Sequence, residues 1–108
     1  MGEPTWSRLS PDERLARRWA AFAAPGLPFV DADAEAAYAA RAERLRTAIL
    51  LEGEPDRVPV SLLAGFYPGH CQGLTPFDAM HDYPRAAEAW YATNLELQAD
   101  ALMAPLFA

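Results

Sequence analysis

Apolar positions along the chain change period several times, and each change marks an element. Leu15, Trp19, Phe22 and Ala23 share one face of a helical repeat, behind the run Ser10-Pro11-Asp12-Glu13. A serine can cap a helix, proline suits the first helical position, and a glutamate three residues after the serine completes a capping box. Pro25-Gly26 then stops the helix, since proline cannot continue the backbone ladder and glycine accepts a left-handed cap. Asp31 and Asp33 open a second helix, expected from about Ala34 to Leu51, with Tyr38, Ala42, Leu45 and Ile49 as its apolar stripe and Gly53 as its C-cap. The opposite face sets Arg41, Arg44 and Arg46 against Glu35, Glu43 and Glu52. That reads as a solvated, mutually neutralising face.

Further on the pattern shortens to that of a strand. Val58, Val60, Leu62 and Leu63 predict a short, mostly buried strand over about 57–63, with Pro59 at its start or edge because it lacks a ladder donor. Thr75-Pro76-Phe77-Asp78 repeats the cap-plus-proline start and predicts a short helix over about 76–81. Tyr83-Pro84 leads into a longer helix reaching about Ala99, with Ala87, Trp90, Tyr91, Leu95 and Gln98 turned inward. The tail DALMAPLFA is apolar and extended, a second strand over about 100–107. The order is helix, helix, strand, helix, helix, strand, and a strand–helix–strand unit implies a parallel sheet. Such a sheet must be covered on both faces and continued sideways. The class expected is therefore α/β, and the chain reads as the beginning of something larger.

Composition narrows the function. A chain of 108 residues supports one small domain, and 52% hydrophobic with 22% charged residues is enough for a core. The net charge is −6 and no lysine- or arginine-rich run exists, so nucleic-acid binding has no electrostatic footprint. The single cysteine, Cys71, excludes an internal disulfide framework. No apolar core of a signal peptide and no apolar stretch of roughly 18–20 residues is present. A cytoplasmic protein with no membrane partner is expected.

Candidate chemistry concentrates in LLAGFYPGHCQGLTPFD, residues 62–78. Loops that gather special-backbone residues and reactive side chains are where binding and catalysis sit. Phe66, Tyr67, His70 and Cys71 are the candidates for a substrate-facing loop. Adjacent side chains of an extended segment point to opposite sides, and His81 is the only further histidine. No metal site is expected within this chain. Gly65, Gly69 and Gly73 lack the lysine and hydroxyl of a phosphate loop and suit tight turns at a pocket rim instead. Asp78 and Asp82 fit helix starts better than acid–base work with His81. Trp19 and Trp90 suit packing, whereas Trp6, in the polar leader, is the candidate for partner contact.

The segment RLRTAILLEGEPDRVPVSLLAGFYPG resembles the opening of the uroporphyrinogen decarboxylase superfamily, whose members begin with a helix, a turn and a first barrel strand. The turn here is Gly53-Glu54-Pro55-Asp56-Arg57-Val58-Pro59-Val60. Asp82-Tyr83-Pro84-Arg85-Ala86-Ala87-Glu88, through Leu95-Glu96 to Asp100, resembles the family's next helix and the approach to strand two. The resemblance covers about 41–108, as the first βα units of an incomplete barrel, and leaves 1–40 as a helical leader. It implies the N-terminal segment of a (β/α)8 barrel, a fold that runs to about 250 residues with its site on the loops after the strands. The family's decarboxylases carry arginines after strand one and an aspartate at the end of strand two. Residues 61–73 hold no arginine, and strand two ends in Pro105-Leu106-Phe107-Ala108. Without cationic groups a porphyrinogen's carboxylates lose their clamp. The resemblance therefore favours the methyltransferase branch, with a small-molecule substrate or corrinoid as partner. Its zinc and corrinoid would be held by later parts of the full-length protein, with no cofactor in this segment. Uroporphyrinogen decarboxylation is the alternative within the family. Outside it stands a self-contained helical binding or subunit module that self-associates through ALMAPLFA.

Overall fold

The computed structural model describes residue 2 and residues 4–102. It is mostly helical, with two short parallel strands, and it divides into two compact units, Met1–Arg57 and Val58–Ala108. The boundary expected at 40/41 falls inside a continuous helix.

In the first unit, a short 3-10 helix (Trp6–Arg8) precedes α1 (Pro11–Ala23) and α2 (Ala32–Leu50). The expected capping box forms: the Glu13 amide donates to Ser10 Oγ at 3.2 Å, and the Ser10 amide donates to Glu13 Oε2 at 2.7 Å. These bonds satisfy N–H groups that a helix start leaves without partners. Asp31 caps α2, accepting from the Ala34 amide at 2.7 Å. The helix ends one residue before the expected Leu51, and Gly53 is not its cap. Leu51 itself turns left-handed, at φ 54°, and its amide donates to Thr47. Four aromatic rings hold α1 to α2 and the link between them. Trp19 meets Phe22 edge-on at 5.7 Å, and Tyr38 lies 5.9 Å from Phe22 and 5.4 Å from Phe29. Such pairs add attraction beyond the area they bury. The Tyr38 hydroxyl also donates to the Phe22 carbonyl.

The solvated reading of the arginine face of α2 is overturned at Arg44. That side chain is buried and donates from Nε and Nη2 to both carboxylate oxygens of Asp56, at 2.6 and 2.7 Å. A planar guanidinium matches a carboxylate in this two-pronged way. Asp56 belongs to the turn that ends the unit, so the pair ties the turn to α2. Ile49, expected in the apolar stripe, is exposed.

The second unit is built on α5 (Tyr83–Leu97), against which α3 (Tyr67–Cys71) and α4 (Pro76–His81) pack. Ala86, Ala89, Trp90 and Thr93 are its buried positions, a regular helical stripe. Of the inward residues expected, only Trp90 is buried. Tyr91 and Leu95 are exposed, and Gln98 is an exposed left-handed C-cap at φ 50°. Alanines face inward because they let α3 and α4 come close. Gly69 belongs to the same contact, for a Cβ placed on it would sit 3.6 Å from the Cβ atoms of Leu74 and Ala79.

β1 (Ser61–Leu62) and β2 (Ala101–Leu102) pair in parallel, Ser61 with Ala101 and Leu62 with Leu102. β1 is shorter than the expected 57–63. Pro59 has no N–H to donate, and the Val60 amide is taken by the Asp100 carboxylate at 2.8 Å instead of by a ladder carbonyl. The Val60 carbonyl in turn receives the amides of Asp100 and Ala101, at 2.9 and 3.2 Å. Buried Asp100 thus closes one end of the pair. At the other end Gly65, at φ 53°, turns the chain away. Val58, Val60 and Leu63, expected to be mostly buried, are exposed, because a lone strand pair leaves its faces open. The part of the expected second strand from residue 103 onward lies outside the described residues.

Candidate functional site

The four candidate residues follow β1 directly, but not on an extended loop. Residues 67–71 form α3, a five-residue helix set between Gly65 and Gly73, whose φ values are 53° and 78°. Left-handed backbone of this kind strains any residue with a Cβ. Pro68 takes an early helical position and is fully buried with Gly69, while the Leu74 amide donates to the Gly69 carbonyl at 2.8 Å. The Pro68-Gly69 pair is the anchor of the turn. Its outer surface carries the candidates.

The helical spacing rearranges them. His70 and Cys71 were expected on opposite sides of an extended segment; instead they are successive positions of one helical turn, both exposed. The new pair is Tyr67 with Cys71, four residues apart and so on one side of the helix. The Cys71 thiol is free and exposed. Hydrogen bonding toward Cys71, and then the Cys71 charge, push the Tyr67 phenol above its ordinary value of 10.0, with smaller contributions from burial and from Glu96. Phe66 stands just ahead of α3 and is exposed like Tyr67, and the His70 amide donates to its carbonyl at 3.0 Å. The structure therefore gathers a thiol, a phenol, an imidazole and a phenyl ring on one solvent-facing turn after β1. A thiol and an imidazole can accept or donate protons, and the rings offer apolar contact.

The other polar residues of the stretch have structural work. Asp78 completes a second capping box: the Thr75 amide donates to its Oδ2 at 3.0 Å, and its own amide donates to Thr75 Oγ1 at 3.2 Å. Those bonds hold its carboxyl below the ordinary 3.8. Asp82 caps α5, accepting from the Arg85 amide at 3.3 Å. The His81 ring lies 4.2 Å from that of Phe77, one turn back on α4. Both carboxylates of the trio are thus engaged in helix caps. Trp6, expected at a partner contact, carries the Arg18 guanidinium 5.1 Å from its ring centre, a cation–π placement.

Among the described residues, no three His, Cys, Asp or Glu side chains are grouped so as to hold a metal ion. No described helix is long and apolar enough to cross a membrane. Two polar anchors were missed by sequence reasoning, Arg44–Asp56 in the first unit and Asp100–Val60 in the second; their partners lie 12 and 40 residues apart, and no local period signals such pairs. Elsewhere on the first unit an almost wholly apolar groove of about 470 Å³ is lined by Leu15, Arg18, Trp19, Phe22, Leu45 and Ile49. No family model matches the chain, and no curated protein or solved structure matches it either.

Proposed function

We propose that this chain supplies the first βα portion of a (β/α)8 barrel enzyme of the uroporphyrinogen decarboxylase type, acting in methyl transfer rather than decarboxylation. The observation that carries the reading is the parallel register of β1 and β2 across a helical crossover, with Tyr67, His70 and Cys71 just beyond the C-terminal end of β1. Barrel enzymes place their chemistry at that end of each strand. Exposed Val58, Val60, Leu63 and Leu102 support it too, because a parallel sheet normally has both faces covered. The absence of arginine from residues 61–73 favours methyl transfer over binding a polycarboxylate. In this reading Phe66, Tyr67, His70 and Cys71 form one wall of a small-molecule or corrinoid site, and zinc ligands come from later strands.

The test starts with the polypeptide isolated from its native source. Its intact mass should be several times the 11.8 kDa of these residues, with strands and helices continuing to alternate and His or Cys ligands at later strand ends. That protein should contain zinc and move a methyl group from a methylcorrinoid to a thiol. A native polypeptide of 11.8 kDa, or a longer one without those ligands and without the transfer, overturns the reading.

A further inference from the structure

We draw no further inference here: the strongest candidate, the apolar groove along α1 and α2 lined by Leu15, Trp19, Phe22, Leu45 and Ile49, carries nothing because no feature of the structure shows what covers it.

Discussion

The two compact units reach order by different means. In residues 1–57 the buried set is small, and the elements are joined by directional links: two helix caps, a chain of tilted aromatic rings and the Arg44–Asp56 pair. In residues 58–108 the main device is close approach. Ala86 and Ala89 lie buried with Trp90 and Leu74 where α3, α4 and α5 meet, and Gly69 sits in the same contact with room for a methyl group. Directional links can hold helices while leaving apolar side chains outside, as Phe22 and Ile49 are. Close packing places small residues where the helices meet. The contrast also bears on function, because the candidate turn grows from the closely packed part, where Pro68 and Gly69 are buried beneath exposed Tyr67, His70 and Cys71. Rigid support of this kind suits a site whose side chains must keep their places.

The largest effect should come from the centre of that packing. Trp90 is only 6% exposed, and Trp90→Ala should cost about 3–5 kcal/mol, as large-to-small core changes do. Amide hydrogen exchange would show where the loss falls: protection should drop in α5, α3 and α4. Phe22→Ala, at a position 41% exposed, should cost clearly less. Equal losses at the two positions would erase the distinction between the units.

A smaller effect separates two glycines of the same segment. Gly69 is helical, and a Cβ there would meet its neighbours at an ordinary 3.6 Å. Gly69→Ala should therefore be neutral or stabilising by about 0.5–1 kcal/mol, through helix propensity and a less flexible unfolded chain. Gly73 has open space around it but a φ of 78°, and Gly73→Ala should cost about 1–2 kcal/mol in backbone strain. Urea midpoints of the two variants should move in opposite directions, or one should stay still while the other falls.

In the first unit the comparable handle is electrostatic and depends on pH. The hydrogen bonds from Arg44, more than any other influence, hold the Asp56 carboxyl below its ordinary 3.8. A carboxyl lowered in the folded state adds stability that is fully present above pH 3.8 and is lost as pH falls through the lower folded value. Asp56→Asn should lower the thermal midpoint at pH 7, and the gap to the unaltered protein should close in that acidic range. A gap that stays constant with pH would mean that the carboxylate's charge contributes nothing.

How far the sequence displays all this depends on the range of each interaction. Helix starts are local, and Ser10-Glu13, Thr75-Asp78, Asp31 and Asp82 act as their spacing implies. On α5 the large apolar residues predict the wrong inward face, because the close contacts select Ala86 and Ala89. α3 is hidden from the sequence pattern for a related reason. Five residues containing proline and glycine form a poor helix on their own, and packing of Pro68 and Gly69 supplies what propensity lacks. The first strand is shorter than its apolar run because the Asp100 side chain takes the Val60 amide from 40 residues away. The candidate turn stood out by composition, but Tyr67 and Cys71 become neighbours only once the backbone is helical.

That neighbourhood allows the smallest and most local test. The Cys71 thiol, by hydrogen bonding first and charge second, keeps the Tyr67 phenol protonated above its ordinary 10.0. A raised folded value means that the contribution to stability is complete below pH 10 and is lost as pH rises through the higher folded value. Phenolate absorbance, taken as the difference between the unaltered protein and Tyr67→Phe, isolates this residue from the other tyrosines. Its midpoint should lie above 10 and move back toward 10 in Cys71→Ala. Tyr67 stands at the start of α3 and Cys71 at its end, so the shift requires the turn to be helical in solution. A midpoint unchanged by Cys71→Ala would dissolve the pair, and with it the view that close packing under Pro68 and Gly69 presets the candidate side chains.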